Sequence, residues 1–252
     1  MSRLAQSRIR DASTELTLPS LYTPVRLREW GDAFAHAGRI AAERGAGTLV
    51  HVGRFDLAEF ALVLEPEEPL AGARRAFYAG MTALADALIG CSQPETDVAI
   101  RWPDTVLVNG GLVGGGRLAW PKAAGENAVP PWLVFGAMVR VESMTDREPG
   151  VNPNVTTLAE EGFGGLRSHE VIESFARHFM VAIDAWQEIG FAAVAKTYVE
   201  RLPRVSGMRR DIDENGDLLI RRTGTAATER KSLVAALAAP SWLDGTTEEP
   251  LT

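Results

Sequence analysis

Cysteine is nearly missing from these 252 residues: Cys91 stands alone, so an internal disulfide or a cysteine-built metal cluster is excluded for want of partners. Histidine is also scarce. His36, His51, His169 and His178 fall into neither the H-x-x-x-H nor the H-E-x-x-H spacing that aims two imidazoles at one ion, and no bound metal is expected. No run approaches the roughly 20 apolar residues of a membrane span, and the first 14 residues are too polar for a signal peptide, so no membrane association and a cytoplasmic location are expected. Basic residues do not dominate: 26 Lys and Arg against 33 Asp and Glu leave a formal charge of -7, which argues against nucleic acid or acidic membrane as partner. There is no internal repeat and no low-complexity tract. What is there is 46% hydrophobic residues, enough for one substantial domain, read as residues 1–203, with a small appendage over 204–252.

The hydrophobic pattern predicts a mixture of helices and strands. Asp32 is a plausible N-cap for a helix from 33 to about 44, ended by Gly45 to Gly47 before a β-rich run over 48–52 and a second strand over 57–64. Small and apolar residues at helical spacing then fill 73–89, with Gly90 as the stop. Strands are predicted at 97–102 and 105–108, and from 112 to about 120; Asn109-Gly110 between the last two is a strong hairpin signal. Another strand is expected over 132–141, followed by a polar loop over 144–154. Ser168 is expected to cap a long helix over 169–188, with a second helix over 191–202. A further Asn-Gly hairpin is centred on Asn215-Gly216, an alanine-rich helix is expected over 226–238, and the polar end over 244–252 is expected to be frayed.

One stretch is more specific than any of these. Arg101-Trp102-Pro103-Asp104-Thr105-Val106-Leu107-Val108-Asn109-Gly110, followed by Gly114-Gly115, resembles the K-W-P-N-D…G…K-x-x-G stretch of the biotin protein ligases. Other pieces agree in order and spacing over roughly 25–203: the alanine- and leucine-rich segment 81–88, the strand 132–136, Thr156-Thr157-Leu158-Ala159, and Gly190-Phe191 with Tyr198. The hairpin 212–219 is similar to the one that opens the small domain following the catalytic domain in those ligases. The resemblance implies an α+β fold of the class II synthetase, biotin/lipoate ligase-like type, with a mainly antiparallel sheet flanked by helices and a small C-terminal hairpin plus helix. It also implies an activity. In that family a carboxylate such as biotin, lipoate or octanoate is activated by ATP to an acyl-adenylate and passed to a lysine of a carrier protein.

Carried over residue by residue, the resemblance makes Arg101 the candidate catalytic cation and places Gly53, Arg54, Trp102, Pro103, Asp104, Asn109, Gly114, Gly115, Gly116 and Arg117 around the bound ligand. ATP is the implied cofactor, biotin or lipoate the implied ligand, and a biotinyl or lipoyl carrier protein the implied partner. The departures fall on the cations, which phosphate chemistry needs most. The family's arginine-rich loop shrinks to His51-Val52-Gly53-Arg54. Its W-P-N-D pair becomes Asp104-Thr105. Its K-x-x-G lysine is Leu112, and an apolar side chain cannot neutralise a phosphate. Two functions therefore stay open: a divergent ligase that recruits Arg54, Arg101 and Arg117, or a catalytically inactive binding or regulatory module of the same fold.

The residues also admit plainer readings. The Trp-Pro and Asn-Gly elements serve any hairpin, the glycines any bulge, Gly53-Arg54 any turn and Arg117 any solvated strand. His51 reads as a hydrogen-bonded filler of a strand more readily than as a general base, and Cys91 as structural.

Overall fold

The structure, a computed structural model, describes residues 15–144 and 154–251. Most of the loop expected over 144–154 lies outside them. Seven strands form the main sheet in the order β1-β2-β3-β7-β6-β5-β4. They are β1 (Thr23–Leu27), β2 (Thr48–Val52), β3 (Leu57–Leu64), β4 (Val98–Arg101), β5 (Thr105–Val108), β6 (Gly111–Ala119) and β7 (Leu133–Arg140). Only the β1/β2 pair is parallel, which makes the sheet mainly antiparallel as expected.

Both faces of this sheet are covered, which explains why β2 and β3 read as almost unbroken apolar runs. Side chains alternate across the pleat. On one face Phe60, Leu62, Phe135 and Val139 join the large core under α3 (Ala76–Cys91), α4 (Ser168–Ile189) and α5 (Phe191–Glu200). Phe135 stacks on Phe175 of α4 with ring centres 5.6 Å apart and planes 7° from parallel. On the other face Val50, Val52, Ala61, Val63 and Val134 meet Ala33, Ala37 and Ala41 of α1 (Ala33–Arg44). Those alanines recur every four residues, so they form one stripe of the helix and let it lie close. Asp32 caps α1 by accepting from the Ala35 N–H at 2.9 Å, and Gly45 ends it with φ 75°.

The C-terminal part departs from expectation. The expected hairpin is present as β8 (Met208–Ile212) and β9 (Leu218–Arg222), but a third strand, β10 (Thr228–Lys231), extends it to a three-stranded sheet. The alanine-rich helix is confined to α6 (Leu233–Leu237), because Thr228–Lys231 pairs along β9. Two caps also differ. Gly90 lies inside α3, which is preceded by the short α2 (Leu70–Ala73), and the N-cap of α4 is Arg167, with Ser168 its first residue. The end of the chain is not frayed: residues 240–251 fold back over the main sheet, and Trp242 is fully buried.

A β-bulge sets the geometry that matters most. Along β5 and β6, Val106 pairs with Gly114 but Leu107 pairs with Leu112, so Val113 is one residue extra. The insertion turns Leu112 and Gly115 toward the same face although they are three positions apart, while Val113 enters the core under α3. Gly114 is required there. A Cβ on it would stand 1.9 Å from the Met138 carbonyl oxygen of the neighbouring strand. Gly114→Ala is expected to lower stability by about 1–3 kcal/mol in urea denaturation, the usual range for overpacking; an unchanged midpoint would mean that β6 and β7 can part without cost.

Candidate functional site

The α1 side of the sheet is only half covered by α1. Over β5, β6 and β7 the cover is the chain's own C-terminal segment. Leu57, Leu112 and Met138 make an apolar floor, and Trp242 lies on it with no exposed surface. The indole reaches the backbone because Gly115 has no side chain. A Cβ there would stand 2.4 Å from the indole Cδ1 and 2.1 Å from the Asp104 carbonyl oxygen. The indole Nε1–H donates to the Gly116 carbonyl at 3.1 Å. Gly116 itself faces the opposite layer, where a Cβ would meet Met81 and Phe135.

Asp104 closes one side of this nest. Its buried carboxylate accepts from the Ser241 N–H at 2.9 Å, from the Ser241 hydroxyl at 2.8 Å and from the Thr105 hydroxyl at 3.1 Å. Burial raises the Asp104 pKa, and these donors act against that rise by satisfying the ionised form. The Thr105 and Ser241 hydroxyl oxygens are themselves 2.8 Å apart.

The arginines are engaged one by one. Arg54 makes two bonds to Asp56, the shorter 2.6 Å, and a third of 2.6 Å to Glu249 of the C-terminal segment. Burial opposes its charge, but the two carboxylates outweigh burial and hold its pKa above the ordinary value. Arg117 lies over the Phe34 ring at 4.1 Å and 3.3 Å from the Asp32 carboxylate, in space that Gly136 leaves for Phe34. Burial lowers the Arg117 pKa against the pull of Asp32, Glu59 and Glu248. Glu59 accepts from the Ala33 N–H at 2.8 Å, yet burial raises its pKa.

The sequence-predicted residues thus divide. Arg54, Asp104, Gly115 and the Gly116 carbonyl gather around residues 240–251, Gly114 packs against the Met138 backbone, and Arg117 lies on the same face toward α1. A Cβ on Gly53 would meet the Arg26 guanidinium at 2.7 Å. Trp102 and Pro103 point elsewhere: the Trp102 Nε1–H donates to the Tyr78 hydroxyl at 3.2 Å, and the Pro103 carbonyl accepts from the buried Tyr198 hydroxyl at 2.7 Å. Arg101 is exposed at the end of β4, 3.5 Å from the Thr105 hydroxyl. Asn109 sits in the β5–β6 turn with φ 48°, where its side chain holds the Asp97 N–H and the Glu161 carboxylate. Cys91 is the last residue of α3 and is half-buried.

Sequence reasoning missed Ser241, Trp242 and Glu249. A signal was present, since Trp242-Leu243 is a large apolar pair in a tail otherwise read as polar, and such a pair seeks cover. Asp56 and Glu59, which hold Arg54 and the start of α1, were missed as well, having no motif of their own.

Similarity to known proteins agrees with this architecture. The model of the biotin/lipoate A/B protein ligase family matches residues 18–200. The biotin--[acetyl-CoA-carboxylase] ligase of Paracoccus denitrificans is 32% identical over 204 residues, covering 77% of this chain and 74% of that protein. Among solved structures, a biotin protein ligase-like protein of unknown function from Silicibacter sp. TM1040 is 28% identical, with a TM-score of 0.74 over 88% of this chain and 98% of its own. The apo biotin protein ligase of Aquifex aeolicus, 14% identical, shares the fold with a TM-score of 0.64 over 83% of this chain and 95% of its own.

Proposed function

The chain belongs to the biotin/lipoate A/B protein ligase family, and from that premise we propose that it binds a biotin-type carboxylate or its adenylate against the β5–β6–β7 face and passes the acyl group to a carrier-protein lysine in the cytoplasm. The observation that carries this reading is the bare backbone at Gly115 beside Asp104, a nest deep enough to bury the fused two-ring indole of Trp242. Glycine at such a place lets a ligand ring lie directly on the strand. In this reading residues 1–203 form the binding unit and 204–252 its appendage.

ATP is the reactant that the family implies. The residues here fit one half of it well and the other half poorly. The glycine strip fits a flat ring. A triphosphate needs cations, and Leu112 is apolar and buried while Arg54 and Arg117 are each held by carboxylates. Arg54 is the better placed of the two, because one of its partners, Glu249, belongs to the C-terminal segment. That cation deficit favours a second reading, in which the site binds ligand or carrier without turnover.

Pyrophosphate release with ATP and biotin, lipoate or octanoate decides between the readings. The ligase reading expects release with one of the acids, reduced by about tenfold or more in Arg54→Ala, since a charge aimed at a reacting phosphate is worth at least that. Binding with no release favours the inactive module. Neither binding nor release with any acid, together with no capture of a biotinyl or lipoyl carrier domain, would refute both.

A further inference from the structure

We propose that residues 240–251 act as an intramolecular occupant of the ligand site, so that the closed segment and a bound acyl-adenylate exclude each other. The inference rests on the functional reading above and concerns how that site is regulated. Four of the residues that the resemblance assigns to the ligand are held by the segment: Ser241 takes both oxygens of Asp104, Trp242 takes the Gly116 carbonyl and the space over Gly115, and Glu249 takes Arg54. Arg140, at the end of β7, donates to the Pro250 carbonyl. The segment therefore fills an apolar nest with a fused ring, satisfies its carboxylate and neutralises its arginine. Two of these demands, the ring for the nest and the counter-charge for Arg54, are ones a ring-bearing anion would meet from outside; Asp104 asks instead for a donor.

The segment is also built to leave as one body. Its own hydrogen bonds close it on itself: the Leu251 N–H donates to the Trp242 carbonyl at 2.8 Å, the Asp244 N–H to the Glu249 carbonyl at 2.8 Å, and the Thr246 and Thr247 N–H groups to the Asp244 carboxylate at 2.7 and 3.0 Å. None of these breaks when it swings away. Among the described residues, the anchors on Asp104, Thr105, Gly116, Arg54 and Arg140, and the apolar nest, are given up. Pro240, just after α6, marks where such a motion would turn.

The test uses the full chain with Cys91→Ser, Thr105→Cys and Ser241→Cys. The two hydroxyl oxygens being replaced are 2.8 Å apart, which places their Cβ atoms near disulfide range. Binding of a non-hydrolysable biotinyl-adenylate analogue with a sulfamoyl linkage is measured by calorimetry before and after reduction. Oxidised protein is expected to bind at least about 30-fold more weakly than reduced, because apparent affinity scales with the fraction of molecules whose site is open. In the otherwise unaltered chain, Trp242→Ala should bind about tenfold more tightly for the same reason. Equal affinity of oxidised and reduced protein overturns the inference alone and leaves the functional reading standing. No binding by any form, Trp242→Ala included, overturns the functional reading and the inference with it.

Discussion

Leu112→Lys is expected to eject residues 240–251 and raise amide hydrogen exchange at Trp242 and Leu251 by about 100-fold or more. Leu112 is 3% exposed and touches the apolar floor beneath the indole. An ammonium buried there without a partner costs several kcal/mol, far more than one surface contact returns. The protein has a cheaper way out than unfolding: releasing the segment restores water to the lysine and breaks the hydrogen bonds and the ion pair that tie the segment to the sheet. Converted to a population, about 3 kcal/mol of preference for the open form is roughly 100-fold. Exchange in β2, which lies beyond the nest, should stay slow. Exchange at Trp242 that matched the unaltered protein would show that the apolar floor contributes little to holding the segment. The same substitution restores the cation at the K-x-x-G position, so pyrophosphate release should rise in Leu112→Lys if the ligase reading of the site holds.

Acidification is expected to cost this protein about 3 kcal/mol of stability through His51 alone. The ring is buried among Arg26, Ser168 and His169, and its pKa falls to about 4, first through burial and then through the charges of Arg26 and His169. In the unfolded chain the same group titrates near 6.5. Between those two values the unfolded state takes up a proton that the folded state refuses, so stability falls as pH falls from about 6.5 to about 4 and levels off below. Glu59 and Asp104 work in the opposite sense, since burial raises their pKa values and the folded state holds their protons more tightly. Comparing the protein with His51→Gln removes those shared contributions. Urea denaturation at about pH 7.5 and about pH 4 should show the larger loss in the unaltered protein, by about 3 kcal/mol. Equal losses in the two would mean that the ring is charged in the folded state. A neutral, enclosed ring also agrees with the filler reading of His51 better than with a general base.

Much of the fold was legible because it is locally encoded. Alternation and burial on both faces made β2 and β3 plain, Asn109-Gly110 marked the turn it occupies, and Asp32 marked the start of α1. Motif order singled out Gly115 and Asp104, which the fold brings side by side. What failed was non-local. Thr23–Leu27 contains Pro24 and alternates too weakly to read as a strand, and it exists because Thr48–Val52 runs parallel beside it. Thr228–Lys231 is polar and fully exposed, with nothing in its residues to override the helix-forming neighbours; pairing with β9 decides it.

By itself the sequence determined the layered scaffold, the bulged glycine strand and the loss of the family's lysine, since each is written in residues close together along the chain. Where Arg54, Arg101 and Arg117 lie was decided by tertiary structure: Glu249 comes to Arg54 from 195 positions away, Arg117 finds Phe34, and Arg101 is left at the surface. The cover over the site was likewise a tertiary outcome. Trp242 has no apolar neighbour in its own segment large enough to bury it, and only a sheet face bared by Gly115 offers that burial.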